Sequence, residues 1–383
     1  MASRTTHPVI GTRSLNRATL ARQLLLGRAG MSVRDAVGHL LGLQAQNVKP
    51  PYYQLHARLA GFRPAELAGL MESREVVRMV TMRSTIHTHT AHDALTLRPL
   101  VQPARDREVG HFRKGLVGVD LERLTERARA FVEAGPPRTM GEIREELLTQ
   151  WPGADPQSLA VAARCRLPLV QVTPRGVWGR SGQVRLTTLE NWVGSGRAAD
   201  AAAADGPAGA AAAVDDVVLR YLGAFGPASV KDMQTWAGLT RLREAFERLR
   251  PRLVVFRDEN GAELFDLPDA PRPDPDVPAP PRFLPEFDNL LLSHADRTRV
   301  ITAEAKGRNW AGNQAYRTLL LDGFLAGLWK ADAGVLTVEL FAPASKAAKE
   351  EIVAEGELLL AAMEEDPKTP SGRWSVRFGS IHG

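Results

Sequence analysis

The chain has 383 residues, a hydrophobic content of 44% and a formal net charge of +5, which indicate a globular protein with more than one ordinary domain. Its single cysteine, Cys165, excludes an internal disulfide framework and any metal site built from several cysteines. No apolar run approaches the ~20 residues that cross a bilayer, and residues 1–11 lack a signal-peptide pattern, so we expect a soluble, cytoplasmic protein.

The first 65 residues are strongly basic, because nine cations stand against one acid, Asp35. The local balance is nine minus one, or +8. A basic surface of this kind attracts phosphate backbones, although solvated arginine-rich faces would account for the same composition. The nine cations are Arg4, Arg13, Arg17, Arg22, Arg28, Arg34, Lys49, Arg58 and Arg63.

The first predicted unit, residues 1–119, begins with helices and continues as strands. Ser14 is placed to cap a helix over residues 14–28, and Ser32 is placed to cap a second helix that reaches Leu41. Short helices at 51–59 and 64–71 follow. Residues 76–89 are rich in β-branched residues and predict strands. Helices followed by strands is the order of a winged helix, which docks a helix or a wing against DNA.

The segment 43–51, Leu-Gln-Ala-Gln-Asn-Val-Lys-Pro-Pro, interrupts these helices. Because Pro50 and Pro51 disfavour helix immediately upstream, we predict an extended or turn-like backbone there. Residues two apart on an extended segment point the same way, which places the amides of Gln44 and Gln46 on one face beside Lys49. An amide can orient a water and stabilise positive charge through its carbonyl oxygen, but it is not a strong base. A surface polar pair without function is the alternative.

Three histidines, His87, His89 and His92, lie close together in the sequence. A metal site would need further ligands with convergent geometry, and the only close acid is Asp93. We therefore predict no metal.

A second unit is predicted over residues 120–196, with helices at 121–133, 140–148 and 155–166. A strand at 169–173, a turn at 174–176 and a returning strand at 177–185 would form its wing. The wing carries Arg175 and Arg180, separated by glycines that permit close approach to a ligand. A merely solvated hairpin is the alternative.

Residues 197–213 are alanine-rich and predict a linker. A third winged-helix unit is predicted over residues 214–270, with helices at 214–225, 230–237 and 239–249 and strands at 253–256 and 263–266. The helix 239–249 has the position of a recognition helix and carries Arg241 and Arg243.

Residues 282–383 differ in composition and predict a β-rich subdomain with antiparallel strands near 319–321, 323–330, 335–341 and 375–378 and one helix at 346–363. The polar residues Asp288, Asn289 and His294 interrupt its apolar beginning. They would form either a polar network or a turn with caps, and the second is slightly favoured. The predicted fold is thus α+β, with three tandem winged helix-turn-helix units and a C-terminal β subdomain.

Four motifs occur in one order along the chain: Gln-Ala-Gln at 44–46, Arg-Ser-Thr-Ile-His at 83–87, Trp-Gly-Arg-Ser-Gly at 178–182 and Leu-Pro-Glu-Phe-Asp-Asn-Leu-Leu-Leu-Ser-His at 284–294. Together they resemble the AlkZ-like, YcaQ-related family of bacterial DNA glycosylases. The resemblance covers residues 14–378. It implies that Gln44 and Gln46 are catalytic, and Gln46 indicates the AlkZ-like branch rather than the branch with Asp at that position.

The resemblance further implies hydrolysis of N7-alkylguanine in double-stranded DNA and self-resistance to DNA-alkylating natural products. Nothing in the sequence suggests more than a monomer, and we expect no cofactor. In that setting we expect the enzyme to associate with the nucleoid. The expected DNA or cleft contacts are Asn47, Lys49, Arg83, Thr85, His87, Arg175, Arg180, Arg241 and Arg243. Two alternatives remain open: a non-catalytic winged-helix regulator, which would prefer one undamaged sequence, and a protein that sequesters the free drug.

Overall fold

The computed structural model describes residues 7–194, 196, 207–332, 334–363 and 374–382. They divide into two compact units: residues 1–66, 215–236 and 241–383 form the first, and residues 67–214 and 237–240 form the second. Each unit is thus assembled from distant parts of the chain. The predicted division into five consecutive segments stays a prediction. The two compact units are bounded at other residues.

The first unit contains a mixed sheet with a helix packed on it. The strands are ordered Ser375–Phe378, Val335–Leu340, Phe324–Asp332, Thr318–Leu321 and Arg282–Leu284. All neighbours are antiparallel except the edge strand Ser375–Phe378, which pairs in parallel with Val335–Leu340. The prediction of a purely antiparallel sheet was wrong at this edge, because helix Lys346–Met363 supplies the long crossover that a parallel pair needs.

Helix positions in the first unit follow the predicted order with shifted ends. The first helix begins at Thr12 and ends at Arg22, and its N-cap is Gly11 without a side-chain bond, so the prediction of a Ser14 cap was wrong. Ser32 does cap the second helix, accepting a hydrogen bond from the Asp35 N–H. The helices that lie wholly or mainly in this unit are Thr12–Arg22, Val33–His39, Pro50–Arg58, Pro207–Phe225, Val230–Ala237, Arg243–Leu249 and Lys346–Met363.

The segment predicted as a third winged helix has helices followed by the hairpin Val254–Arg257 and Glu263–Asp266. Its last helix is shorter than predicted, because Arg241 has φ 62° and the helix begins only at Arg243. Residues 207–213 of the predicted linker belong to helix Pro207–Phe225, and its residues 197–206 lie outside the described part of the chain.

The second unit contains helices and four hydrogen-bonded strands. The strands run antiparallel in the order Ile86–Thr90, Val76–Val80, Leu169–Gln171 and Leu186–Thr188. The prediction of a returning wing strand at 177–185 was wrong, because that strand begins only at Leu186. The α-helices that lie wholly in this unit are Ala91–Leu100, Gln102–His111, Leu121–Glu133, Met140–Gln150, Pro156–Arg166 and Leu189–Val193. The boundary between the two units falls within helix Pro64–Glu72.

Local capping explains why three helices of the second unit begin where the sequence predicted. Asp120 accepts from the N–H groups of Glu122 and Arg123. Thr139 forms a reciprocal capping box with Glu142, and Asp155 caps the helix that begins at Pro156. Within the described ranges, no helix is long and apolar enough to cross a membrane.

Candidate active site

The helix before the two glutamines ends in a tight hydrogen-bonded reversal. The Leu41 N–H donates to the Gly38 carbonyl at 3.1 Å, and the Gly42 N–H donates to the Val37 carbonyl at 2.9 Å. Leu41 (φ 55°) and Gly42 (φ 94°) both adopt the left-handed region. This pair of bonds is the Schellman arrangement, which stops a helix and redirects the chain. The backbone therefore reaches Gln44 already turned out of the helical path.

Residues 43–49, which we call the glutamine segment, are extended at first and then bend. Leu43–Gln44 forms a two-residue strand, in agreement with the predicted extended backbone, and a bend begins at Gln46. Gln44 is 4% exposed, whereas Gln46 and Asn47 are exposed. One amide therefore belongs to the interior and the other to the surface. The side-by-side arrangement of the two amides stays a prediction.

Asn289 binds the start of this segment through both ends of its amide. Its Nδ2 donates to the Gly42 carbonyl at 2.7 Å, and its Oδ1 accepts from the Gln44 N–H at a long 3.5 Å. The side chain of Gln54 donates to the Gln44 carbonyl at 3.0 Å. Since both backbone polar groups of Gln44 have buried partners, its position is defined from two sides.

Asp288 holds the helix that follows the segment. Its two carboxylate oxygens accept from Nη1 and Nη2 of Arg58, both at 2.8 Å, and both side chains are fully buried. Arg58 also donates to the Gln54 carbonyl and to Gln23 Oε1. This is a bidentate pair in which each terminal nitrogen of Arg58 donates one further hydrogen bond, while its buried Nε has no partner among the described residues. Asp288 also caps the Leu290 N–H at 2.9 Å, so the predicted network and the predicted turn coexist.

Glu286 connects the exposed part of the segment to the sheet. Its Oε1 accepts from Asn47 Nδ2 and its Oε2 accepts from Arg317 Nε, both at 3.0 Å. The Arg317 guanidinium lies 5.1 Å from the ring centre of Tyr53 and 5.0 Å from that of Trp329, which fixes it by cation–π contact. Burial raises the pKa of Tyr53. The motif at residues 284–294 contains Glu286, but the sequence did not predict its contact with Asn47.

Phe287 separates the two carboxylates and has φ 62°. This conformation is uncommon for a bulky side chain and is found mostly where surrounding structure imposes it. We call residues 286–289 the bracing segment. Its side chains bind Gly42 just before the glutamine segment, Gln44 and Asn47 within it, and Arg58 at the end of the helix that follows. Among the described residues, no group of three or more His, Cys, Asp or Glu side chains could hold a metal ion.

Arg83, Thr85 and His87 belong to the second unit, at the turn between two strands. Arg83 (φ 53°) is in a left-handed conformation, and the Thr85 hydroxyl donates to the Met82 carbonyl at 3.1 Å. His87 is 1% exposed and lies 3.2 Å from the Thr81 hydroxyl. Burial lowers the pKa of His87 well below its usual value, so the ring is neutral. His87 therefore supports the turn from inside, and its predicted role at the cleft or in DNA contact stays a prediction.

The wing arginines of the second unit have partners nearby. Arg180 forms an ion pair with Glu72 at 2.9 Å, and both side chains are largely exposed. Arg175 Nη1 donates to the Gly182 carbonyl at 3.5 Å. In the first unit, Arg243 lies 3.7 Å from Glu247 on the same helix face, again with both side chains exposed. Exposed pairs of this kind are weak, so the guanidinium groups can exchange the carboxylate for a phosphate.

The comparisons with known proteins identify the family. A family model described as DNA glycosylase AlkZ-like matches residues 37–362. The chain belongs to the AlkZ-like DNA glycosylase family. No curated protein matches the chain. Among solved structures, the Streptomyces sahachiroi DNA glycosylase AlkZ is similar with a TM-score of 0.75 and 21% identity, over 97% of this chain and 100% of that one. At this identity the structural similarity shows a shared α+β fold, and the family match shows a DNA repair glycosylase acting on DNA.

The N-terminal basic cluster of this AlkZ-like glycosylase has a different explanation from the predicted one. Six of its nine cations pair with carboxylates of the same unit, five of them on residues from 266 to 355. The prediction of a basic surface was therefore wrong for Arg17, Arg22 and Arg58, whose side chains are fully buried, because buried guanidinium groups need partners. The side chains of Arg13, Arg28 and Arg63 remain partly exposed. Arg4 lies outside the described residues. The pairs are Arg13 and Arg17 with Asp322, Arg22 with Asp266, Arg28 with Glu355, Arg58 with Asp288, and Arg63 with Glu66.

Proposed function

We propose that this AlkZ-like glycosylase hydrolyses the N-glycosidic bond of N7-alkylguanine in double-stranded DNA, with Gln44 and Gln46 as the catalytic residues. The observation that carries the proposal is the bracing segment. Three of its side chains contact the glutamine segment or the helix after it. Holding reactive groups in a fixed geometry is how an enzyme lowers the entropic part of a barrier.

The chemistry of the substrate explains why amides suffice. Alkylation at N7 gives the guanine ring a positive charge, which weakens its bond to the sugar. When the bond from C1′ to N9 breaks, its electron pair moves into the ring and neutralises that charge, so no general acid has to protonate the leaving base. Water forms the new bond to C1′ and releases its proton to solvent. The enzyme has to orient that water and stabilise an oxocarbenium-like sugar.

In this proposal the two glutamines divide these tasks. Gln46, the exposed member, holds the attacking water with its carbonyl and amide groups. Gln44, whose backbone is fixed by Asn289 and Gln54, directs a carbonyl dipole toward the developing positive charge. Because water is the only nucleophile, the enzyme is monofunctional and forms no covalent bond to the abasic sugar. Lys49, although close in sequence, does not attack C1′.

We further propose that the natural lesion is a bulky natural-product adduct or an interstrand crosslink, and that the protein confers self-resistance as a cytoplasmic, nucleoid-associated monomer. Three winged-helix units would supply the DNA surface, an interpretation favoured by the helix-then-hairpin order around residues 230–266. A bulky adduct cannot enter the tight pocket into which most glycosylases flip a base. The proposed DNA contacts are Asn47, Lys49, Arg83, Thr85, Arg175, Arg180, Arg241 and Arg243.

The test is base release from duplexes that carry N7-methylguanine or a bulky N7-guanine adduct, scored as abasic sites after alkaline cleavage. Wild type is compared with Gln44→Ala, Gln46→Ala and the control Gln157→Ala, which removes an exposed glutamine on helix Pro156–Arg166. We expect a loss of about 100-fold or more in the first two variants, by analogy with removal of one stabilising group elsewhere. DNA affinity should be retained in all.

Two results would contradict the proposal in different ways. If base release is unchanged in both Gln44→Ala and Gln46→Ala, the glycosylase activity stands, but the two glutamines are not catalytic. Absence of release from every N7 adduct, together with tight binding of one undamaged sequence, would favour the regulator. Borohydride treatment during the reaction should trap no protein–DNA adduct, and a trapped adduct would exclude water as the only nucleophile.

A further inference from the structure

A cavity of about 390 Å³ opens directly beside the glutamine segment, within the first unit. Asn47 and Glu286 line one side of it, so it begins one residue from Gln46. Its size lies in the range of ordinary small-molecule pockets, about 300 to 1,000 Å³. We call it the aromatic cavity, because the rings of Phe287, Tyr316, Trp329 and His382 are among its walls.

These rings are held in place by neighbouring groups. Phe287 packs edge-on against Trp310 with ring centres 5.7 Å apart, and Tyr316 packs edge-on against His382 at 5.2 Å. Trp329 forms the buried floor, and its indole N–H donates to the Leu284 carbonyl at 2.9 Å. Phe287 and Tyr316 remain partly exposed toward the cavity side. The cavity thus offers preformed ring surfaces, which bind another flat ring at low entropic cost.

Two charged groups of the wall, Glu286 and Arg317, are engaged with each other, and a third, Lys330, is exposed. Both carboxylate oxygens of Glu286 are occupied, one by Asn47 and one by Arg317. Arg317 is in turn covered by the ring of Trp329. A cation entering the cavity would have to compete with Arg317 for the carboxylate. The wall therefore favours an uncharged aromatic group over a cationic one, since desolvating an unpaired charge is costly.

We propose that the aromatic cavity binds an uncharged aromatic substituent carried on N7 of the alkylated guanine. This inference rests on the proposed function, because it takes Gln46 as the point at which the sugar reacts. The cavity shares Asn47 and Glu286 with the support of the glutamine segment, so a group attached to the departing base lies within reach of it. A methyl group on N7 is too small to fill the cavity, which then holds water. A two-ring aromatic group on N7 displaces that water and contacts Phe287 and Tyr316. The cavity thereby determines specificity for large lesions.

The test compares two duplexes that differ only at N7 of one guanine, methyl in one and naphthylmethyl in the other. Both kcat/KM for release and Kd are measured for wild type, Tyr316→Ala, Phe287→Leu, the conservative variant Tyr316→Phe and the control Trp374→Ala, which removes an exposed ring outside the cavity. We expect wild type to prefer the naphthylmethyl duplex. The ratio of the two kcat/KM values should fall by about 10-fold in Tyr316→Ala and Phe287→Leu. It should be retained in Tyr316→Phe and Trp374→Ala.

The outcomes separate this inference from the function on which it rests. A ratio that is unchanged in Tyr316→Ala and Phe287→Leu, with normal release by wild type, overturns the cavity and leaves the glycosylase proposal intact. Absence of release from both duplexes overturns the proposed function. In that case the Kd values decide: a preference of wild type for the naphthylmethyl duplex that disappears in Tyr316→Ala supports the cavity, and equal Kd values in all variants overturn it.

Discussion

Asn47 donates a hydrogen bond to Glu286 across 239 residues of sequence, with 3.0 Å between Nδ2 and Oε1. The acceptor is itself held by Arg317, which lies against two aromatic rings. The exposed part of the glutamine segment is thereby attached to the central sheet through one carboxylate.

Removing this carboxylate should reduce activity more than stability. We expect Glu286→Ala to lower kcat for base release about 10-fold, because a charge-assisted hydrogen bond is worth roughly 1.5 to 3 kcal/mol and part of it can be replaced by water. Glu286→Gln keeps a carbonyl acceptor for Asn47 and should lose less. The control is Glu357→Ala on the exposed face of helix Lys346–Met363. Equal rates for all three variants would show that the contact to Asn47 has no catalytic consequence.

Asn289 should affect catalysis through the backbone of Gln44. The change Asn289→Asp removes the donor to the Gly42 carbonyl at 2.7 Å and places an acceptor against it, while an acceptor for the Gln44 N–H remains. We expect slower base release with little change in KM for damaged duplex, because the DNA surface is untouched. Single-turnover rates and titrations with duplex DNA measure the two effects separately. A rise in KM at constant kcat would instead indicate a role in binding.

The buried pair of Asp288 and Arg58 predicts a large loss of stability on one-sided substitution. Asp288→Ala leaves an unpaired guanidinium in the interior and should lower the free energy of unfolding by about 3–5 kcal/mol. The comparison is Glu247→Ala, which breaks an exposed pair with Arg250 and should cost below about 1 kcal/mol. Urea unfolding measures both. The double variant Asp288→Leu with Arg58→Met should recover part of the loss, and strictly additive losses would contradict an ion-pair origin.

His56 predicts acid sensitivity of the first unit. Burial, with the nearby cations Arg28 and Arg282, lowers its pKa to about 3. A histidine of the unfolded chain binds a proton below about pH 6.5, whereas folded His56 does not, so stability present above pH 6.5 is lost as the pH falls toward 3. The expected loss is about 2 kcal/mol between pH 6.5 and 5 from this group. His56→Gln should show a shallower pH dependence in urea unfolding, and parallel slopes would contradict the assignment.

The sequence by itself determined the features that depend on neighbouring residues. The helix starts at Leu121 and Met140 and, within one residue, at Pro156 were predicted from the local sequence, and the structure has a capping side chain beside each one. The extended backbone at Gln44 followed from the local arrangement of a helix stop and two prolines. Family membership was predicted from the order of four short motifs, and the family match confirms it.

Only the tertiary structure decided which charges face solvent and what supports the glutamines. Arg22 and Arg58 read as surface cations in the sequence because their partners, Asp266 and Asp288, lie more than 200 residues away. The contact between Asn47 and Glu286 was equally hidden, since hydrogen bonds between distant residues leave no periodicity in either segment. Local propensity acts over a few residues, whereas the burial of a charge depends on which distant segments pack together, and that is settled only when the chain folds.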